Sequence, residues 1–210
     1  IRLSLVGSEM CIRDRAISYS VLNSVLPSVI SAKFPVLIRG RHGIGKSTIV
    51  YQLGEKLGLP VVERRASQMT EGDLLGLPKV EGNVTQWLAP EWLHNACDNA
   101  CILFLDEVDR ATMEVRQGIF ELCDSRKIAG YTLHPDTLIF ACVNGGEEQG
   151  DQYQVGEMDP AELDRYTVFD VKPTVEDWLS WADGNVSQVV WDFINDNHQH
   201  LEHNLSLIHI

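Results

Sequence analysis

The chain has 210 residues, of which 44% are hydrophobic and 22% are charged, and it carries a formal net charge of −13. This length suits one globular domain, or one domain followed by the beginning of another. The acidity lies in the C-terminal third, because residues 145–210 contain 14 acidic and 2 basic residues, which gives −12. No basic stripe is visible, which argues against tight non-specific binding to nucleic acid, and no run approaches the ~20 apolar residues of a membrane span.

The two ends of the sequence resemble translated sequencing-adapter sequence. Residues 1–15 read IRLSLVGSEMCIRDR, and residues 204–210 include LSLIHI. We expect both segments to be non-native, and they are left out of the fold prediction. The five cysteines are scattered and predict neither a disulfide framework nor a zinc site, so reduced thiols in a cytoplasmic protein are expected; they are Cys11, Cys97, Cys101, Cys123 and Cys142.

Apolar strands and amphipathic helices alternate along the rest of the chain. The pattern predicts helices at 16–31, 46–57, 90–99, 113–123, 175–181 and 186–197, and strands at 36–39, 61–65, 101–106, 137–143 and 167–171. Pro27 is a possible break in the first helix, and residues 77–88 predict a hairpin that turns at Gly82 and Asn83. The alternation favours an α/β domain with a parallel sheet.

The motif G-x-x-x-x-G-K-S follows the first predicted strand directly and opens the second predicted helix. Its glycines allow backbone N–H groups to surround phosphates, its lysine supplies a charge for the outer phosphates, and its serine hydroxyl can bind Mg²⁺. The sequence therefore predicts a nucleoside triphosphate site, with these binding residues: Gly40, Arg41, His42, Gly43, Ile44, Gly45, Lys46, Ser47 and the adjacent Thr48.

Paired carboxylates end the apolar strand Cys101-Ile102-Leu103-Phe104-Leu105 about 60 residues further on. Asp106 is predicted to join Ser47 in holding the metal, and Glu107 to orient and polarise the attacking water. The pair alone is a weak signal, since many strands end in solvated acids. In combination with the phosphate loop it predicts hydrolysis of the γ-phosphoryl group.

Two further residues extend this predicted site. Asn144 follows the predicted strand 137–143, so its amide would reach the same sheet edge and could help to place the water; an ordinary Asn turn is the alternative. Arg165 is one of two basic residues in the acidic third, and the sequence leaves open whether it is a local ion-pair partner or a finger for phosphates bound elsewhere.

Together these motifs resemble the AAA+ ATPases and, within them, the MoxR-like branch. The resemblance covers residues 16–203 and is carried by GRHGIGKST as Walker A, CILFLDE followed by VDRA as Walker B, Asn144 as sensor 1, MDPAELDRY with the arginine finger Arg165, and DLLG at residues 73–76. It implies a P-loop NTPase three-layer fold with a five-stranded parallel sheet at 16–173, and the beginning of a truncated helical lid at 174–203. No residue matches the sensor 2 arginine.

The resemblance also implies ATP and Mg²⁺ as cofactors, and hydrolysis at the subunit interfaces of a ring, usually a hexamer. The cycle would remodel or activate a client protein, often beside a protein with a von Willebrand factor A domain. The alternatives are a AAA+ motor or loader on DNA, including phage replication or packaging, a nucleotide-gated scaffold with little turnover, and a small-molecule kinase. The absence of visible basic pore residues weighs against the DNA motor, and Glu107 weighs against the scaffold. The Asp-Glu pair and Asn144 weigh against the kinase.

Other polar clusters are given structural interpretations. His198, His200 and His203 are expected to be solvated rather than to bind a metal. Arg64 and Arg65 are expected on the surface. Arg110 and Arg116 are possible interface arginines that rank below Arg165.

Overall fold

A computed structural model of the chain describes residues 16–145, 158–198 and 201. Outside these residues lie the two adapter-like segments, Cys11, His200 and His203. The described α-helices are α1 (Tyr19–Ala32), α2 (Lys46–Leu57), α3 (Glu71–Leu75), α4 (Glu91–Asp98), α5 (Met113–Ser125), α6 (Pro160–Leu163), α7 (Val175–Ala182) and α8 (Gln188–Asp196). The strands are β1 (Val36–Gly40), β2 (Val61–Arg65), β3 (Leu77–Glu81), β4 (Val84–Leu88), β5 (Ile102–Asp106), β6 (Lys127–Ile128), β7 (Tyr131–Thr132), β8 (Leu138–Asn144) and β9 (Thr167–Asp170).

Five of these strands form one sheet in the order β2-β5-β8-β1-β9, and every neighbouring pair is parallel. The predicted five-stranded parallel sheet is therefore confirmed. In the register of β1 and β8, Gly40 lies opposite Asn144. Because all strands run in the same direction, their carboxyl ends form one edge, and the predicted phosphate loop, acid pair and Asn144 all follow strands at that edge.

Helices cover both faces of the sheet and bury two separate cores. Alternate residues of each central strand point to opposite faces, as Leu103 and Phe104 do in β5. Leu103 packs in the core that includes residues of α4 and α5, whereas Phe104 packs in the core that includes residues of α1 and α2. The strands are apolar on both sides because both sides are covered, which is the three-layer arrangement.

The first helix begins later than its apolar pattern predicts. Ile17 is extended beside Val171, because its N–H donates to the Asp170 carbonyl at 2.7 Å and its own carbonyl accepts from the Lys172 N–H at 3.0 Å. Ser18 then caps the helix, with its side chain accepting from the Val21 N–H. The helix continues through Pro27 instead of breaking there.

Short elements account for most of what the periodicity misses. The helices α3 and α6 have five and four residues, and β6 and β7 have two each, so none of them is long enough to show a period. The longer hairpin of β3 and β4 is confirmed, and its turn has Gly82 at φ 63°. Among the described residues, no helix has the length and apolar character needed to cross a bilayer.

Candidate nucleotide-binding site

The loop between β1 and α2 has a backbone that requires glycine at three positions. Gly43 and Gly45 lie in the left-handed region, with φ of 76° and 92°. At Gly40, a Cβ atom would lie 2.6 Å from the carbonyl oxygen of Val171, so a side chain there would separate the loop from the end of β9. The loop ends where α2 begins, at Lys46, and the first N–H groups of a helix lack intrahelical partners. This is a backbone suited to an anion.

Lys46 is buried, with 8% of its surface exposed, and its ammonium group closes the loop. Its Nζ atom donates to the carbonyl oxygens of Gly40 at 2.9 Å and Arg41 at 2.8 Å, and to Asn144 Oδ1 at 2.9 Å. Burial lowers the pKa of Lys46, while the negative charges of Asp106 and Asp109 act in the opposite direction. The structure thus joins the loop directly to the end of β8, as the parallel-sheet argument predicts.

The acid pair lies at the end of β5, where Asp106 is half-buried. Its Oδ1 atom accepts from the Glu107 N–H at 3.0 Å. Burial raises the pKa of Asp106, and Glu107 and Glu63 add to this effect, whereas the Glu107 N–H and the ammonium of Lys46 oppose it. An anion held this close to other carboxylates favours a cation as its partner.

Glu107 is turned away from the strand direction by a left-handed backbone, with φ 55° and ψ 40°. Non-glycine residues are uncommon in this region, and such strain concentrates at functional sites. The side chain accepts a hydrogen bond from the hydroxyl of Ser67, which lies in the short 3₁₀ turn after β2. The carboxylate is therefore held by a neighbouring strand end.

Asn144 is fixed from two sides. Its side-chain oxygen accepts from Lys46, and its backbone N–H donates to Asp109 Oδ2 at 3.1 Å. Asp109 is only 4% exposed, and its other oxygen, Oδ1, has no hydrogen-bond partner among the described residues. Burial raises the pKa of Asp109, because the charged carboxylate has lost most of its contact with water.

Arg165 lies against α5. Its Nε atom is 2.7 Å from Asp124 Oδ1, and its guanidinium lies 4.7 Å above the centre of the Phe120 ring. About a third of its side chain is exposed. Both interpretations from the sequence therefore remain open, since the residue has a local ion-pair partner and still reaches the surface.

The other predicted residues have the following positions. Arg41 and His42 are exposed on the loop, and Ile44 is half-buried within it. The first turn of α2 contains Ser47, which is half-buried, and Thr48, which is exposed. Ser47 and Asp106 supply a hydroxyl and a carboxylate, the oxygen ligands that suit Mg²⁺. The described residues contain no group of three or more His, Cys, Asp or Glu side chains able to hold a metal.

One of the lower-ranked arginines does not fit its predicted role. Arg116 is 8% exposed and forms an ion pair with Glu162, so its charge is used inside the subunit rather than at an interface. Arg110 is exposed, as are Arg65 and part of Arg64, whose guanidinium lies 5.8 Å from the centre of the Trp92 ring.

Three residues at this site were missed by the sequence analysis: Ser67, Asp109 and Tyr19. Ser67 and Asp109 hold Glu107 and Asn144, as described above, and the Tyr19 hydroxyl donates to the Ile44 carbonyl in the loop at 2.5 Å. Serine and tyrosine carry no motif of their own, and these contacts span 25 to 40 positions of the chain. Asp109 belongs to the VDRA segment that follows Walker B, but its role was not predicted because the sequence does not show that it is buried.

The family of this chain follows from its similarity to known proteins. A family model described as the AAA domain, dynein-related subfamily, matches residues 35–166. The chain belongs to this family. The matched segment contains the loop, the acid pair, Asn144 and Arg165, and the resemblance to AAA+ proteins inferred from the motifs is confirmed.

Curated relatives are similar over about half of the chain. The protein CbbQ of Hydrogenophilus thermoluteolus is 30% identical over 122 residues, which are 54% of this chain and 45% of CbbQ. The protein NorQ of Paracoccus denitrificans is 29% identical over 106 residues, which are 50% of this chain and 39% of NorQ. These MoxR-like relatives confirm the branch predicted from the motifs. The chain thus spans less than half the length of either relative.

Solved structures confirm the fold. A RuvB variant from Thermotoga maritima superposes with a TM-score of 0.54 at 14% identity, over 78% of this chain and 49% of that one. Hsp104, solved with ATPγS and casein, superposes with a TM-score of 0.56 at 17% identity, over 81% of this chain and 35% of that one.

Proposed function

We propose that the chain binds ATP with Mg²⁺ and hydrolyses it. The observation that carries the proposal is the direct bond between Lys46 and Asn144, with Asp106 and Glu107 at the end of the adjacent strand. One sheet edge then carries Lys46 of the loop, Asp106 as the carboxylate for the metal, and Glu107 as the carboxylate for the water. Membership of the AAA family supports the nucleotide, because nucleotide binding is general in it.

Each residue of the proposed mechanism has a separate task. The loop amides and Lys46 hold the phosphates, and Lys46 exchanges its carbonyl partners for phosphate oxygens as it does so. Ser47 and Asp106 would hold Mg²⁺, which neutralises charge on the phosphate oxygens when it is bound. Glu107 accepts a hydrogen bond from the attacking water and orients it in line, and the Asn144 amide helps to place the same water.

Two substitutions test the proposal at different steps. Lys46→Ala is expected to abolish ATP binding, because the loop loses its only buried ammonium among the described residues. Glu107→Gln is expected to keep binding and to block turnover, because an amide orients water but does not accept its proton. Binding is measured by calorimetry and turnover by phosphate release.

Matched controls separate these effects from general damage. Lys56→Ala removes an exposed lysine from the end of α2, and Glu121→Gln changes an exposed acid on α5. Both controls are expected to bind and hydrolyse ATP as the unchanged protein does. Equal hydrolysis by the unchanged protein and Glu107→Gln would refute the role of Glu107.

We further propose that the protein works as a ring of six subunits, in which Arg165 serves a neighbouring site. Its partial exposure supports this role, and its guanidinium lies against Asp124 and Phe120 of α5. In mixed rings, an Arg165→Ala subunit should regain turnover at a site flanked by a neighbour with intact Arg165. Failure to complement would make Arg165 a local partner of Asp124.

We propose that α7 and α8 begin the helical lid of this domain, with 16–173 as its core.

The proposed consequence of the cycle is remodelling or activation of a partner protein in the cytoplasm, together with a von Willebrand factor A domain protein. The similarity to CbbQ and NorQ supports this class of function. The Glu107→Gln variant, which should retain ATP, is the appropriate bait. A von Willebrand factor A domain protein encoded beside the gene should bind it with ATP and release it with ADP, and equal binding in both states would contradict the proposal.

A further inference from the structure

The segment before α1 is fixed to the carboxyl edge of the sheet. Ile17 is bound between Asp170 and Lys172 through two backbone hydrogen bonds, and Ser18 caps the helix. The first helical residue, Tyr19, is therefore placed by the end of β9 rather than by the helix alone. From this position its side chain and its backbone make contacts in two directions.

The side chain of Tyr19 reaches the phosphate loop. Its hydroxyl donates to the carbonyl oxygen of Ile44 at 2.5 Å, and a Cβ atom placed on Gly45 would lie 3.8 Å from the same hydroxyl. Burial raises the pKa of the Tyr19 phenol, and Cys142 and Asp177 add to the effect, so the hydroxyl remains a donor at neutral pH. Tyr19 thus supports the loop from outside.

This contact fixes a whole peptide unit. The bond between Ile44 and Gly45 is trans, so the carbonyl of Ile44 and the N–H of Gly45 point in opposite directions. When Tyr19 holds the carbonyl, the Gly45 N–H is directed away from α1. Gly45 has φ 92° and could otherwise rotate this unit at little steric cost. The hydroxyl removes that freedom.

The backbone of Tyr19 is attached to α7. The Asp177 carboxylate accepts from the Tyr19 N–H at 3.0 Å and from the Ser20 N–H at 3.2 Å. The same carboxylate closes the capping box of its own helix, accepting from the Thr174 N–H at 3.0 Å. One side chain of α7 therefore holds the first turn of α1, which has no acidic residue of its own to balance the helix dipole.

We propose that Tyr19 is a positioning residue that directs the Gly45 N–H toward the nucleotide phosphates, and that Asp177 couples the orientation of α7 to this N–H through Tyr19. The proposal rests on nucleotide binding at the loop. It makes the affinity of the loop depend on α7, which this chain of hydrogen bonds joins to the loop through α1. Neither residue belongs to the motifs that identified the site.

The test uses Tyr19→Phe, which removes one hydroxyl and keeps the ring. Loss of one hydrogen bond of this kind predicts that the Kd for ADP rises about fivefold. The KM for ATP should rise by a similar factor while kcat stays the same, because Tyr19 does not touch the reacting atoms. Tyr51→Phe is the matched control, since it also removes one bonded hydroxyl, on α2 against Glu63, and should leave Kd unchanged.

A double-mutant cycle tests the coupling to α7. Asp177→Ala should raise Kd in the unchanged background and add nothing in the Tyr19→Phe background, whereas Glu176→Ala, an exposed acid of the same turn, should have no effect in either. Additive effects of the two substitutions would overturn the coupling. If the unchanged protein binds ADP and Tyr19→Phe binds it equally well, the role of Tyr19 is overturned; if the unchanged protein does not bind ADP, the proposed function fails first.

Discussion

The ion pair between Arg116 and Glu162 joins α5 to α6, which leads directly into Arg165. Its side chains are 9% and 13% exposed, so both charges have lost most of their water. The two helices are separated in sequence by 46 positions at this contact. We predict that Glu162→Ala destabilises the fold strongly, because it removes the Glu162 carboxylate from the buried guanidinium of Arg116.

The size of the effect follows from that burial. Removing one partner of a buried pair costs about 3–5 kcal/mol, and the remaining access to water at Glu162 places this case near about 3 kcal/mol. For a chain of this size the melting temperature falls by about 2–4 °C per kcal/mol, which predicts a decrease of roughly 6–12 °C. Chemical denaturation gives the free energy and thermal unfolding gives the temperature.

An exposed pair of the same chain provides the control. Lys33 and Asp136 lie 2.7 Å apart, with side chains 45% and 64% exposed, so Asp136→Ala should be indistinguishable from the unchanged protein. Replacing both buried partners, as Arg116→Met with Glu162→Leu, should recover most of the loss. If Glu162→Ala melts with the control, the buried-charge argument is wrong.

Two further predictions concern burial and close packing. Burial raises the pKa of Asp109, so the charged carboxylate costs stability and Asp109→Asn should raise the free energy of unfolding at neutral pH. This gain should shrink as the pH falls through the folded-state pKa toward 3.8, the ordinary pKa of an Asp side chain. A gain that is independent of pH would contradict the prediction. Gly54→Ala should destabilise by about 1–2 kcal/mol because its Cβ would lie 2.6 Å from Val61 Cγ2, whereas Gly72→Ala, where the nearest atom is 3.8 Å away, should stabilise by about 0.4–1 kcal/mol in urea unfolding.

The local pattern predicted the long elements well because period and length both act within one segment. The strands β1, β5 and β8 are apolar throughout, and α2 and α5 carry apolar residues at helical spacing, so each was found within a residue or two. The start of α1 was wrong because Ile17 pairs with a residue more than 150 positions away. No local pattern contains that partner.

The sequence by itself determined the phosphate loop, the acid pair and the parallel sheet, since glycine freedom, strand periodicity and the order of elements are all properties of neighbouring residues. Only the tertiary structure decided that Ser67 holds Glu107, that Asp109 holds the Asn144 backbone, and that Arg116 is used inside the subunit. These contacts join different elements, and burial sets their energies. Burial is a property of the packed chain, which no single segment carries.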